Sequence, residues 1–409
     1  MKLDLIYDIQ FFIGDFDLSD NIYSVELGTS INNIMHGIII KAKIDSVDIL
    51  RNKIFGQKDA SLTIKLTTTD KTIYESTKLE CIITNIAFIA DMKSSNANIE
   101  DPPHSQHIQF QCVPKNQFLS MYTTVNKLFK NDLNIKPIDA IQAISDTFIS
   151  KMQVSIDRSR SNTQPIKQLQ VPPMNFCKSI KFVDSKYPLY KNGTPFMFGD
   201  LNNNLRIDNL NTSITNAPIY SIFILTKGIG ARDKEDIYKT EVRQRNFFTY
   251  SGIKTNYSTN NKIITNGYQK KYTVPNKKIL MNSMVVDVDE IYDKSTMRSK
   301  NTPLFFNESL KERIVIDTNI IGEETTTLIT NNYNKLFSSN STISITLDGN
   351  LPIEHLSKVG IPIEIKTQIP SYQDYAGKYI VTLSDIQFKK NNRSYFSIFV
   401  TISCARSNY

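Results

Sequence analysis

The chain has only four histidines and four cysteines, so little imidazole or thiol chemistry is on offer in 409 residues. His104 and His107 stand three apart, a spacing that could bring two imidazoles onto one helical turn around zinc. They follow Pro102-Pro103 in a stretch of loop composition, and no cysteine or carboxylate lies at ligand spacing. His36 and His355 are isolated, which leaves Ser-His-Asp and Cys-His arrangements without a base. Cys81, Cys112, Cys177 and Cys404 sit singly and far apart, and read as buried free thiols in a reducing cytoplasm. Lys227-Gly-Ile-Gly230 is a two-glycine turn without the spacing of a phosphate loop. The acids Asp233, Glu235 and Asp236 gather, as do Asp287, Asp289 and Glu290. A paired-carboxylate hydrolase is defined by a separation in space, and nothing in the order of residues singles out a pair. These read as solvated loop acids. The expectation is therefore no catalytic residue, no metal site, no cofactor and no enzymatic activity.

The net charge is +8 with a pI near 9.0, and the basic doublets Lys270-Lys271, Lys277-Lys278 and Lys389-Lys390 are short and scattered. Nucleic-acid binders concentrate such charge on one face with aromatics between, so a solvated surface without sequence-specific nucleic-acid binding is expected. No run approaches the roughly 20 apolar residues that span a bilayer. The opening Met1-Lys-Leu-Asp-Leu-Ile-Tyr has an acid where a signal peptide needs an apolar segment. Export by the usual route and a membrane partner are not expected.

The elements that would position any site are mostly strands. In 341–406, Ile343, Ile345 and Leu347 alternate with Ser and Thr, and Asp348-Gly-Asn350 breaks the run. Ile361, Ile363 and Ile365 alternate again, Lys378 to Phe388 is dense in β-branched and aromatic residues, and Phe396, Ile398, Val400 and Ile402 share one face. This predicts an antiparallel meander or small barrel. Residues 1–113 have the same texture, with candidate strands over 3–16, 21–27, 38–40, 61–66, 79–88 and 108–113. From Asn116, a plausible N-cap, Phe118, Met121, Tyr122, Val125, Leu128 and Phe129 recur at helical spacing. Pro137 opens a second helix with Ile138, Ile141, Ile144 and Phe148 as its stripe. Residues 151–170 read as a linker, Pro172-Pro173 as the start of a third helix through Phe176, Ile180 and Val183, and 195–210 as a hairpin. Residues 217–227 form a strand, and Phe247–Tyr250 and Met284–Val288 look like strands within long polar stretches.

The fold class predicted is mainly β with an α+β middle part: two small β-barrel domains of like topology flank a helix-containing domain, with an insertion in the second barrel. The boundaries are 1–113 for the first barrel, 114–216 for the middle, 217–229 with 341–409 for the second barrel, and 230–340 for the insertion.

That order resembles the baseplate-hub, or tail-hub, proteins of contractile-tailed bacteriophages and the base of type VI secretion spike proteins. Ile108-Gln-Phe-Gln-Cys-Val113 running into Leu128-Phe-Lys-Asn and the Pro137 helix looks like the family's strand followed by helix. Phe176 to Val183 and then Pro195-Phe-Met-Phe-Gly-Asp200 looks like its helix-then-hairpin. Val359-Gly-Ile-Pro-Ile-Glu-Ile-Lys366, Gly377-Lys-Tyr-Ile-Val381 and Ile386-Gln-Phe388 resemble its closing strands, without the histidine usual near Gln387. The resemblance implies a virion structural protein of the tail baseplate, assembled in the host cytoplasm. It implies a homotrimeric ring of six barrels that joins a six-fold tail tube to a three-fold central spike, with a lumen for DNA passage and baseplate wedge proteins around it. It carries no catalytic residue. A tail-associated cell-wall hydrolase and a receptor-binding tail protein are the competing readings.

Overall fold

A computed structural model describes residues 5–31, 37–44, 53–68, 73–89, 106–130, 134–148, 153–166, 168–191, 195–201, 204–210, 213, 216–224, 246–249, 253–257, 271–275, 283–287, 312–314, 341–347, 353–367, 369–391 and 395–406. Strands dominate them. In chain order they are β1 (Leu5–Ile13), β2 (Phe16–Asp17), β3 (Ile22–Ser30), β4 (Gly37–Ile44), β5 (Asp59–Thr68), β6 (Ile73–Ile89), β7 (Gln106–Pro114), β8 (Thr124–Lys130), β9 (Val154–Ile156), β10 (Gln168–Asn175) and β11 (Pro195–Gly199). They continue with β12 (Leu205–Asn209), β13 (Tyr220–Ile224), β14 (Asn246–Thr249), β15 (Lys254–Tyr257), β16 (Lys271–Pro275), β17 (Ser283–Asp287), β18 (Glu312–Ile314), β19 (Ser341–Leu347), β20 (Pro362–Thr367), β21 (Gly377–Lys390) and β22 (Phe396–Arg406). The helices discussed are α1 (Lys115–Tyr122), α2 (Pro137–Phe148), α3 (Phe176–Lys186) and α4 (Ile353–Leu356).

Alternation explains the strands. Tyr7, Ile9, Phe11 and Ile13 of β1 are all buried, as are Leu62, Ile64 and Leu66 of β5 and Ile108, Phe110 and Cys112 of β7. A one-residue slip would turn each row outward, so burial holds the register. Eight strands close a ring in the order β1, β5, β6, β7, β4, β3, β21, β22 and back to β1, every pair antiparallel. A closed ring removes the exposed edges of an open sheet. The same sheet then runs on through β14, β13, β20, β21, β22, β19 and β15, whose Ile222, Ile363, Val400 and Ile345 belong to one apolar core continuous with that of the ring.

The two barrels repeat one strand order. Counted along the chain, β1, β3, β4, β5, β6 and β7 lie side by side as 1-4-5-6-3-2. Counted the same way, and with β14 beside β13 set aside as β2 beside β1 is, β13, β15, β19, β20, β21 and β22 also lie as 1-4-5-6-3-2. One pairing departs: β13 runs parallel to β20, whereas β1 runs antiparallel to β5.

A separate apolar core serves the middle of the chain, where Val125, Phe129, Ile141, Val171, Phe176 and Ile207 pack together. Here β8 pairs with β10, and β11 with β12, which β9 joins in parallel.

Several sequence expectations are corrected. Strands 377–390 and 396–406, assigned to the second barrel alone, also complete the first, because each is long enough to serve both. Residues 246–257, placed in the insertion, supply β14 and β15 to the second barrel's sheet. The meander is β20, β21, β22, with β19 returning to the far side of β22. The first helix ends at Tyr122, and Val125 and Phe129 belong to strand β8. A separation of four residues satisfies the periods of helix and strand alike, and Thr123-Thr124-Val125 tips the balance to strand. Pro114, not Asn116, stands at that helix's N-cap. Pro172-Pro173 occupies an irregularity in β10, where no ladder N–H is needed, and α3 starts after Asn175, whose side chain accepts from the Lys178 N–H at 2.8 Å. The expected linker 151–170 contains β9 and the start of β10.

Candidate assembly surface at the barrel junction

The junction is built by β21. Tyr379 and Val381 on one face and Ile380 on the other are buried at its start, and Ser384, Ile386 and Phe388 follow. The change from odd to even positions requires one extra residue. It lies in the register shift between Val381 and Leu383 opposite β22, a bulge that bends the strand where it leaves one barrel for the other. β22 needs no such shift, since Phe396, Ile398, Val400, Ile402 and Cys404 are buried in unbroken alternation.

α4 clasps this junction. The Glu75 carboxylate of β6 accepts from the Ile353 N–H at 3.0 Å, at the N-terminal end of α4. At the other end, Thr29 Oγ1 of β3 donates to the Ser357 carbonyl at 3.0 Å, and Ser384 Oγ donates to the Leu356 carbonyl. Ile353 and Leu356 are buried in the shared core. The helix's orphan backbone groups are thus taken up by first-barrel strands. The middle of the chain docks beside it: Gly360, at φ +70, faces the Phe196 ring so closely that a Cβ there would overlap the ring's edge carbons Cε2 and Cζ.

The outer face across the first barrel is amide-rich. The registers align Asn85, Gln111, Ile39, Glu26, Gln387 and Phe399 in one row over six strands. Lys41 pairs with Glu26 at 2.8 Å. Asp385 lies on the same face one pair along, and its carboxyl is raised above the ordinary value by burial and then by Glu26, against a hydrogen bond to Gln387. Phe399 is exposed, with the Lys389 ammonium 5.5 Å from its ring centre.

Among the described residues of the large sheet, β14 pairs only with β13, and β6 and β15 also have an open side. β6 is 17 residues long; 73–82 pair with β5, the Ile83 N–H donates to the Lys58 carbonyl, and 83–89 pair only with β7 among the described residues. β15 pairs only with β19 among the described residues.

Among the described residues weighed for chemistry, Cys81 and Cys112 lie near one another on the paired strands β6 and β7, each thiolate disfavouring the other. His107 lies on β7 with its ring edge-on to Tyr23 at 5.4 Å, and His355 is on α4. His36, His104, Lys227 to Gly230, the 233–236 acids, Asp289 and Glu290 fall outside the described residues, while Asp287 ends β17. Cys81, Cys112, Cys177 and Cys404 are free and buried, as expected. Burial raises all four thiols, Cys81 to about 12 with Glu80 adding to it and Cys177 to about 11, which disfavours the nucleophilic thiolate. Among the described residues, no group of three or more His, Cys, Asp or Glu is placed to hold a metal ion, and no helix is long and apolar enough to cross a membrane. Sequence reasoning missed the bulge and the clasp. The bulge did have a signal, the switch from Tyr379 and Val381 to Ile386 and Phe388; the clasp had none.

Over nearly its whole length this fold is shared with solved phage tail proteins. The chain is similar to the tail protein of Neisseria meningitidis MC58, with a TM-score of 0.58 at 8% identity over 98% of this chain and 96% of that one. It is similar to the 43 kDa tail protein of prophage MuSo2 from Shewanella oneidensis, with a TM-score of 0.55 at 9% identity over 98% and 96%. A third likeness, with a TM-score of 0.50 at 8% identity over 97% and 77%, is to an Escherichia coli component of the type VI secretion system described as structurally similar to the T4 bacteriophage tail proteins gp27 and gp5. No family model and no curated protein matches the sequence.

Proposed function

We propose that this chain is a non-enzymatic structural subunit of a virion tail: the central hub of a baseplate, acting as a homotrimer. Three copies with two like barrels each present six quasi-equivalent faces to a six-fold tail tube and three to a central spike. The ring encloses a lumen for DNA passage, and wedge proteins of the baseplate surround it. In this reading 114–216 form a middle domain, 258–340 carry an insertion between β15 and β19, and the two barrels share 377–406. The single observation that carries the proposal is the repeated strand order of the two barrels.

The experiment is light scattering on the purified chain together with imaging of the particle. A three-copy mass and density between tube and spike at the tail tip are expected. A monomer that clears peptidoglycan, with clearing abolished by a point substitution, would replace the hub with the hydrolase. Binding to host cells by an isolated chain would favour the receptor-binding reading.

A further inference from the structure

The internal repeat makes β6 the counterpart of β21, β5 of β20 and β3 of β15, since each pair occupies the same place in the 1-4-5-6-3-2 order. β21 uses its length in two parts. Its start, Gly377 to Ile380, pairs with β20 of its own barrel, and Leu383 to Lys389 overshoot and pair with β3 of the other barrel. β6 begins in the same way. Residues 73–82 pair with β5 of its own barrel, and 83–89 overshoot it. The overshoot of β21 ends on a strand; the overshoot of β6 does not, among the described residues.

We propose that residues 83–89 of β6 take β15 of a neighbouring copy of this chain as their hydrogen-bonded partner. The counterpart of the β21–β3 pair is a β6–β15 pair. Within one subunit the two strands lie in different barrels and are not paired with each other, and β15 ends the sheet. The partner strand therefore comes from the second barrel of another copy. The edge is suited to strand addition: Thr84 and Asn85 are exposed, and Phe88 is 54% exposed with the Phe55 ring edge-on to it at 6.2 Å. Extended chain added to such an edge satisfies its free N–H and C=O groups. Each subunit then carries one accepting edge and one donated strand on different surfaces, a heterologous contact that closes into a ring under rotation. Junctions within and between subunits alternate around that ring, each built by one strand overshooting its own barrel. The inference rests on the trimeric hub reading and names the strands that hold the trimer together.

The test is disulfide trapping in the full-length chain. Asn85→Cys and Ala87→Cys are each combined with Thr255→Cys and with Asn256→Cys, and light scattering is run on the same samples. Thr63→Cys with Thr255→Cys is the control, because Thr63 is already flanked by Gln10 and Lys78. The native thiols are buried and stay silent. Mild oxidation is expected to convert at least one β6–β15 pair largely to covalent dimers and trimers on a non-reducing gel, while the control remains single chains. A wild-type trimer in which no β6–β15 pair exceeds the control overturns this inference and leaves the hub standing. A wild-type monomer that traps nothing overturns both.

Discussion

The Thr29 hydroxyl donates to the Ser357 carbonyl at 3.0 Å, joining positions 328 residues apart in the chain. Thr29 belongs to the first barrel and Ser357 to the crossover of the second, so the bond is a strut between them. Replacing Thr29 with Val keeps the shape and removes the donor. Loss of a buried hydrogen bond costs about 1–3 kcal/mol when one partner stays behind. The urea midpoint of Thr29→Val is expected to fall with the slope unchanged, which denaturation curves followed by circular dichroism would show. An unchanged midpoint would mean that α4 is not held by this strut.

Ile398 is buried between Phe396 and Val400 on a strand that serves both barrels. Ile398→Asp places a carboxylate among apolar side chains at a cost of at least several kcal/mol, comparable with the stability of a domain. The variant is expected in the insoluble fraction. Ile398→Val removes one methylene and is expected to fold, with a loss of about 0.5–1.5 kcal/mol. Normal folding and assembly of the Asp variant would refute the inward face assigned to β22.

Gly360 has φ +70, and its missing Cβ makes room for the Phe196 ring. Gly360→Ala meets both obstacles at once and is expected to cost on the order of 1–3 kcal/mol. Combining it with Phe196→Leu should relieve the steric part and leave the backbone part. A double-mutant cycle by thermal unfolding would report that coupling, and strict additivity would show that ring and glycine do not meet.

The Asp385 carboxyl is raised by burial first and by Glu26 second. A raised carboxyl binds its proton more tightly in the folded protein than in the unfolded chain. Stability is therefore favoured below the unfolded value and declines as pH rises through the window between the unfolded and folded values. Asp385→Asn removes that decline. Its melting temperature relative to the wild type is expected to be higher at pH 7 than at pH 3, and a difference independent of pH would refute the assignment.

Residue order determined where the strands lie and which faces they bury. Alternation at Ile343, Ile345 and Leu347, and at Phe396, Ile398 and Val400, is a local property of half-buried extended chain and can be read without partners. The Pro137 helix was legible for the same reason, through its apolar stripe. Only the tertiary structure decided how strands are shared. β21 and β22 could be assigned to one barrel from sequence, but pairing with β3 and β1 depends on backbone groups nearly the whole chain away, which leave no periodic trace. The same holds for Glu75 at α4, a polar contact between distant segments. At Val125 and Phe129 local pattern failed outright, since a four-residue spacing suits both periods and the choice fell to packing against β10 and α2.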